Sequence, residues 1–368
     1  MDQRRGAMEN LGLDPIFWKK KSVFLTGHTG FKGGWIAHWL SQLGSNVYGY
    51  GLAPTSGPSF FKETNLRERL ADSTIGDIRD LHKMSEAINR SMPDIVIHMA
   101  AQPLVRESYN TPSETFATNV MGTVNLLEAV RRNDSVKAVV SITTDKCYKN
   151  MEWLWPYRET DTLGGHDPYS ASKACAELAV AAYRSSFLTD NKIYVASARA
   201  GNVIGGGDWA ADRLIPEFLR AIDAGETLNI RSPKALRPWQ HVLEPLLGYL
   251  ILAQRLYEKE EVFADAWNFG PNDEDMKSVE WIVDKLCSRI TEGNWRTETK
   301  KQPHEAVLLK LDSSKAKVDL GWSPRWNIET ALTKTVDWHQ AWKQKEDLDL
   351  LTTMQISEFL NTHKTECL

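Results

Sequence analysis

A doubly wound α/β fold, in which helices cover both faces of a parallel sheet, follows from three features of the sequence. Short apolar runs alternate with stretches of helical spacing through the first half of the chain. Between the first such run and the first helical stretch lies a glycine-rich loop, "GHTGFKG". Beyond Gly201 the alternation loosens into helices with few strands. Alternation of this kind implies a parallel sheet, and the looser part implies a smaller, mostly helical C-terminal lobe over the carboxyl edge of that sheet.

The elements follow in order. "KSVFLTG" reads as the first strand, an apolar run stopped by glycine. "GHTGFKGGWIAHWLSQLG" then turns to helical spacing: Trp35, Ile36, Trp39, Leu40 and Leu43 share one face, and Gly44 supplies the stop. "NVYGYGL" is a second strand, "LHKMSEAINRSM" a helix, "PDIVIHMAA" a strand, "TNVMGTVNLLEAVRRN" a helix and "VKAVVSITT" a strand. A helix, "PYSASKACAELAVAAYRSSFL", and a strand, "KIYVASARAGNV", complete the alternation. With a last strand near "DAWNFG", about seven parallel strands are expected. "GGGDWAADRLIPEFLRAIDAG" starts as a loop and becomes a helix. "LNIRSPKALRPWQHV" is strand-like, then polar, and gives way to a helix at "EPLLGYLILAQRLY". Further helices are expected near residues 277–291, 313–319, 328–345 and 353–361. The expected division is residues 20–202, with 242–270 returning to them, for the sheet domain, and 203–241 with 271–368 for the lobe.

Composition excludes some classes of function. The 368 residues suffice for two domains or one domain with a lobe, and 42% hydrophobic with 25% charged residues is ordinary for a globular protein. A net charge of -4 gives no reason to expect nucleic acid as a partner. Cys147, Cys175, Cys287 and Cys367 form no CxxC pair and no zinc spacing, which points to a reducing cytoplasm and to no metal site. No apolar stretch is long enough to span a membrane, and the basic N-terminal segment lacks the apolar core of a secretory signal.

The loop carries the first chemistry. Gly27, Gly30 and Gly33 fit G-x-x-G-x-x-G after a strand and before a helix, the setting that gives this pattern meaning. Gly27 permits the tight turn, Gly30 lets backbone approach a diphosphate, and Gly33 permits close packing of helix on strand. Free N–H groups at the helix start, with His28, Phe31 and Lys32 around them, attract the phosphates. A Rossmann-type dinucleotide site is therefore expected. Where an acidic residue for the adenosine ribose belongs, the chain has Ala53 and Pro54, so this position does not separate NAD from NADP. His28 and Lys32 put bulk and charge into the loop, and a weaker or more exchangeable cofactor is expected. Asp77 and Ile78 are candidates for the adenine ring, the carboxylate taking its amino group and the isoleucine its face.

Tyr169 and Lys173 stand four residues apart on a helix and project from one side of it. Tyrosine, with a pKa of about 10, is a poor base at neutral pH. A neighbouring ammonium together with a cationic nicotinamide ring would stabilise the phenolate. Tyr169 could then take a proton from an alcohol while hydride leaves carbon. Thr144, at the end of a central strand, adds a second hydrogen bond to the same oxygen.

The loop, "HMAAQ", "TTDKCY", "PYSASK" and "RAGNVIGGGDW" resemble the extended short-chain dehydrogenase/reductase superfamily, and within it the nucleotide-sugar 4,6-dehydratases. "GHTGFKG", "TTDKCY" and "GGGDWAADRLIP" are most similar to those acting on CDP-glucose; the resemblance runs from about residue 20 to about residue 345, including "LKLDSSKAKVDLGWSP". It implies a lyase that uses NAD within one catalytic cycle. C4 of the hexose is oxidised, water is lost across C5 and C6, and the hydride returns to C6. It further implies that Asp145 is the acid at C6 and that the next residue is the C5 base. Many members have glutamate at that next position, whereas this chain has Lys146. Lys146 either acts as the base or steadies an enolate and holds Asp145. Cys147 reads as packing.

Cofactor contacts are expected from Ala100, Ala101, Gln102, Asn119 and Thr143, besides the loop, Asp77, Ile78, Tyr169 and Lys173. Gln102 would touch either the sugar or the nicotinamide ribose, and Asn119 is also a candidate cap at a helix start. For the sugar nucleotide, Arg213 and Arg237 suit phosphate oxygens, Arg231 is a weaker candidate, and Asn202 is placed for the sugar-proximal phosphate. Ala171, Ala174, Ala179 and Ala182 leave room for close helix packing. Paired with the helix over 119–132 across a two-fold axis, they would make a four-helix bundle as in relatives, hence a homodimer or a dimer of such dimers. The alternatives are a dehydratase for another nucleotide sugar, a nucleotide-sugar 4-epimerase, or a non-catalytic cofactor sensor. An epimerase has no need of Asp145 and Lys146, and a sensor has no need of Tyr169 with Lys173. The resemblance places the product in deoxysugar biosynthesis of the kind that feeds lipopolysaccharide O-antigen.

Overall fold

The structure is a computed structural model, and residues 12–54, 56–290, 293–298 and 308–362 are described. Cys367 lies outside the described residues. Seven parallel strands form the central sheet: β1 Ser22–Thr26, β2 Asn46–Gly51, β3 Asp72–Ile75, β4 Ile95–His98, β5 Ala138–Ile142, β6 Tyr194–Ala200 and β7 Ala266–Phe269. Their spatial order is β7-β6-β5-β4-β1-β2-β3. The order reverses between β1 and β4, which opens a crevice at the carboxyl ends of those strands. The expected fold class and strand count are therefore observed. The strand that the sequence did not locate is β3. "DSTI" is polar, only partly buried and at the sheet edge, so it carries no apolar signature.

Among the described residues, nine longer helices surround the sheet or form the lobe: α1 Phe31–Gln42, α2 Leu81–Ser91, α3 Gly122–Arg131, α4 Pro168–Tyr183, α5 Leu214–Asp223, α6 Leu243–Lys259, α7 Val279–Arg289, α8 Ile328–Lys343 and α9 Leu348–Asn361. α1 buries Trp35, Ile36, Trp39 and Leu40 and ends at Gly44, whose φ of +82° suits glycine. α4 starts where Asp167 accepts a hydrogen bond from Ser170 N at 2.9 Å and Pro168 takes the first position. α9 begins at Leu348, ahead of the expected residue 353, because Asp347 caps it through Leu350 N. Short strands in the lobe, such as Leu228–Ile230 and Leu236–Pro238, agree with the expectation of few strands there.

One face of the sheet is covered by a core that includes Trp18, Trp35, Trp39, Trp267, Trp322 and Trp338. Each such ring removes about 150–250 Å² from water, which at about 25 cal/mol per Å² is worth several kcal/mol. α2, α3 and α4 cover the other face through Met84, Ile88, Leu126, Leu127 and Val180. A third cluster, around Phe218, Trp239, Ile282 and Leu332, holds the lobe together. Trp338 of α8 and Phe359 of α9 join the first core, Phe359 against Trp39 of α1 and Trp338 stacked on Phe60.

Candidate active site

One cavity of about 1030 Å³ runs from the glycine loop across the ends of β4 and β5 to the lobe. Its size is at the top of the range for ligand pockets. Gly27, Gly30, Phe31, Lys32, Gly33, Asp77, Ile78, Ala100, Ala101, Gln102, Thr143, Thr144, Asp145, Lys146, Tyr169, Lys173, Asn202, Arg213, Arg231 and Arg237 all line it. Of the expected site residues, only His28 and Asn119 do not.

The loop has the geometry of a phosphate cradle. Gly27 has a φ of +80°, and a Cβ there would lie 2.8 Å from Ala100 N. A Cβ at Gly33 would lie 2.0 Å from the Gly27 carbonyl oxygen, so the helix start can approach the turn only without a side chain. The residues present therefore fit a dinucleotide. Asp77 and Ile78 stand where the adenine was expected. The Asp77 carboxylate already accepts from Arg79 at 2.6 Å, which holds it below its usual range, and Ile78 packs against Gly122.

His28 is corrected. Its ring is fully buried beneath the loop and occupies the space that a side chain at Gly49 would need, with a Cβ there only 2.4 Å away. Its Nε2 shares a 2.7 Å hydrogen bond with Ser73 Oγ, and burial pulls its pKa down to about 4. It is a neutral packing residue that puts neither bulk nor charge into the cofactor channel. Asn119 is also corrected. It sits within a helical turn over Ala117–Met121 rather than at a helix start. Its side chain accepts from Gln102 N at 2.8 Å and donates to the Gln102 carbonyl and to Ser172 Oγ. It ties the loop after β4 to α4. Gln102 lines the cavity, and its side-chain amide donates to the Leu104 carbonyl and Thr115 Oγ1 while accepting from Leu104 N.

β5 delivers the central group. The chain leaves Ile142 through Thr143 and Thr144 into a tight turn, Asp145–Cys147. Thr144 Oγ1 accepts from Lys146 N at 3.3 Å and donates to Asp145 Oδ1 at 3.0 Å. Asp145 is buried, and its Oδ2 has no hydrogen-bond partner. Burial pushes its carboxyl above the ordinary range, against the opposing pull of Lys146, Thr144 and Arg237. Burial that favours the protonated form of a carboxyl suits it to proton donation. Lys146 is half-buried beside it on the same wall. Cys147 is packed among Tyr148, Tyr157 and Leu311, and burial pushes its thiol up, as suits a structural cysteine.

Tyr169 and Lys173 are both buried on the cavity side of α4. The expected lowering of the phenol is not what the chain itself produces. Burial pushes Tyr169 up to about 12, although a hydrogen bond with Thr144 and the charge of Arg213 pull the other way. Lys173 donates to the Ile142 carbonyl at 3.3 Å, and burial pulls it down to about 8, opposed by Glu177. Desolvation therefore outweighs the one cation that was expected to act on the phenol from within the chain.

Sequence reasoning passed over three supporting residues. Glu177, one turn beyond Lys173, accepts from Thr143, from Ser197 at 2.6 Å and from Arg199 at 2.7 Å. Burial pushes its carboxyl up, yet these hydrogen bonds hold it below its usual range and so fix the end of β5. Gly201 leaves room for the acid, because a Cβ there would come within 2.7 Å of Asp145 Oδ2. Arg106 pairs with Asp212 at 3.3 Å, and Asp212 also meets Arg231 at 3.6 Å. Of the expected phosphate ligands, Arg213 pairs with Asp208 at 2.8 Å, Arg231 with Glu217 at 3.3 Å, and Arg237 donates to its neighbour's carbonyl. Gln240 N donates to the Asn202 carbonyl at 3.1 Å. Asn202, Arg213, Arg231 and Arg237 all line the cavity.

Comparison with known proteins decides the family. The model of the family described as GDP-mannose 4,6 dehydratase matches residues 24–335. The chain belongs to the GDP-mannose 4,6-dehydratase family. A CDP-glucose 4,6-dehydratase of Salmonella typhimurium is 51% identical over 355 residues, covering 95% of this chain and 99% of that one. A dTDP-glucose 4,6-dehydratase of Xanthomonas campestris is 27% identical and covers 73% of this chain and 80% of its own length. Among solved structures, a dTDP-glucose 4,6-dehydratase of Bacillus anthracis in complex with NAD superposes with a TM-score of 0.73 at 21% identity, covering 89% and 98% of the two chains. A UDP-glucose 4-epimerase of Stenotrophomonas maltophila with bound NAD gives 0.77 at 20% identity, covering 88% and 99%. These two likenesses establish the shared fold. The resemblance drawn from the motifs thus agrees with membership of the GDP-mannose 4,6-dehydratase family. Among the described residues, no helix is long and apolar enough to cross a membrane.

Proposed function

We propose that the chain is an NAD-dependent lyase that converts CDP-glucose into CDP-4-dehydro-6-deoxyglucose. The observation that carries this reading is Asp145, a buried carboxyl with a raised pKa and an unpartnered oxygen, on the wall that also holds Tyr169 and Lys146. A simple alcohol oxidation or a C4 epimerisation has no use for such an acid, whereas loss of a hydroxyl group does. The choice of CDP-glucose rests on the 51% identity to the Salmonella enzyme over nearly the whole chain.

Bound in the glycine-loop site, NAD supplies the acceptor for the C4 hydride and later the donor to C6. The chain's own residues handle the protons. Tyr169 takes the proton of the C4 hydroxyl, and Thr144 holds the same oxygen. Lys173, one turn along α4, together with the positive charge that bound NAD would bring, stabilises the phenolate from which Tyr169 accepts that proton. Once C4 is a ketone, the C5 proton is acidified and Lys146 removes it. Asp145 gives its proton to the C6 hydroxyl, which leaves as water. As hydride reaches C6, Lys146 returns a proton to C5. Atoms and electrons balance, so no external reductant is consumed.

The division of labour we propose assigns residues 20–202 and 242–270 to the dinucleotide, and residues 203–241 and 271–368 to the nucleotide sugar. Arg213, Arg231, Arg237 and Asn202 would hold the sugar diphosphate there. We propose further that the protein is cytoplasmic and dimeric, with its product entering deoxysugar and O-antigen synthesis. Support for the dimer comes from apolar side chains exposed near α3 and α4: Phe116, Met121, Leu178 and Phe187. Ala171, Ala179 and Ala182 share that region, whereas Ala174 is buried inside the subunit. The direct test is incubation with NAD and a panel of CDP-, dTDP-, UDP- and GDP-sugars, followed by proton NMR. A new methyl doublet from CDP-glucose is expected. A methyl signal from dTDP-glucose alone would move the assignment to the other nucleotide.

A further inference from the structure

We propose that Lys32 is a proton-gated cation for the dinucleotide diphosphate, so that filling the glycine-loop site takes up a proton at this side chain. This deepens the NAD reading and rests on it. Lys32 occupies the second position of α1 and lines the cavity beside Gly27, Gly30 and Gly33. The position breaks a local rule. The first turn of a helix favours acids, because its free N–H groups and the macrodipole place positive charge there. α1 has no acid in its first turn and carries a lysine instead.

The surroundings offset the conflict only in part, through the Tyr249 ring, whose centre lies 5.5 Å from Nζ. No carboxylate stands within salt-bridge distance of Lys32 among the described residues. Its hydrogen-bond partner is Tyr249 of α6, at 3.4 Å, a phenol that burial keeps neutral. The other groups facing it are Arg213 at the start of α5, Lys173 on α4 and Asp145 after β5, with Tyr169 next to Tyr249. Two of these are cations, and Asp145 is the acid whose own burial favours its neutral form. The open cavity leaves part of Lys32 accessible, yet its ammonium lies deep enough that burial, then Arg213 and Lys173, pull its pKa down to about 7. A site that is locally inconsistent in the protein alone becomes consistent when a ligand brings the missing charge. A diphosphate at the start of α1 is such a ligand, and it restores the ordinary ammonium.

The sign follows from linkage. Where the bound state holds a proton that the free state lacks, affinity falls as pH rises. Below about pH 7 Lys32 is already charged and affinity is flat; above it, affinity falls by up to about tenfold per pH unit. The test is calorimetric titration of the full chain with NAD at pH 8, in buffers of different ionisation enthalpy. Wild type should take up most of one proton more than Lys32→Met or Lys32→Arg. The arginine variant keeps the charge and bulk, so it reports even if the methionine variant folds poorly. Its affinity should fall less steeply from pH 7 to 9 than that of wild type, by the one proton that Lys32 no longer exchanges. Equal proton uptake in wild type and the arginine variant would overturn the proposal and move the proton to Lys173 or elsewhere. Binding of NAD with no proton uptake by wild type would overturn it while leaving the functional reading intact. No binding at all would remove both.

Discussion

Replacing Asp145 with asparagine separates two demands on the site. The side chains are nearly the same shape, so Thr144 can still donate to the remaining oxygen, as it does now at 3.0 Å. What disappears is the ionisable proton beside the cavity. General acids contribute about 10²–10⁴ in rate, or about 2.7–5.5 kcal/mol of barrier at 1.36 kcal/mol per decade. The elimination step should slow by that amount. C4 oxidation, which needs Tyr169 and Thr144, should persist, so reduced cofactor should build up where wild type shows no net reduction. Stability should move the other way. The carboxyl is raised in the fold, so the native protein holds a proton that the unfolded chain loses above its ordinary pKa. Folding stability therefore falls as pH rises from the unfolded value to the folded one. The amide of Asp145→Asn carries no such liability, and the variant should melt at or above the wild-type temperature at neutral pH. Rapid-quench product analysis, nicotinamide absorbance and a thermal melt together test the argument. Equal loss of oxidation and elimination in a folded variant would refute the acid role.

Other perturbations have definite outcomes. Gly33→Ala places a Cβ 2.0 Å from the Gly27 carbonyl, so the loop must open; overpacking of this kind costs about 1–3 kcal/mol, and NAD affinity measured by calorimetry should fall with the melting temperature. Glu244 is buried, accepts from Arg325 N and Trp326 N, and burial pushes its pKa up to about 8. Wild-type stability should therefore decline from about pH 4.5 toward 8, and urea melts of Glu244→Gln should show a flatter profile. Leu178→Glu together with Met121→Lys, both at exposed positions, should shift sedimentation from dimer to monomer without loss of helix signal; a wild type that is monomeric at micromolar concentration would remove the dimer.

Most of the architecture was legible because parallel strands buried on both faces read as apolar runs. Ile95–His98 and Ala138–Ile142 are buried at every position. β3 was not legible, since an edge strand of Asp, Ser, Thr and Ile looks like a turn. In the site, helical spacing was enough to put Tyr169 and Lys173 on one side of α4, and the end of β5 brought Thr144, Asp145 and Lys146 to the same cavity. Their charge states were not legible, because desolvation depends on the whole surroundings rather than on neighbours in sequence. His28 was misread for a related reason. Its ring turns away from the loop into a space left by Gly49 on β2, and only the folded sheet brings those positions together. Asn119 was not legible as a tie because its side chain bonds the backbone of Gln102 across a gap of 17 residues.

The central claim is that one hydrogen leaves C4 and arrives at C6 of the same hexose. CDP-glucose carrying deuterium at C4 tests it most directly, with catalytic NAD and proton and deuterium NMR of the product. A singly deuterated 6-methyl group beside a C4 ketone is the predicted result. Deuterium retained at C4, or found in accumulated reduced cofactor with no methyl formed, would contradict the account.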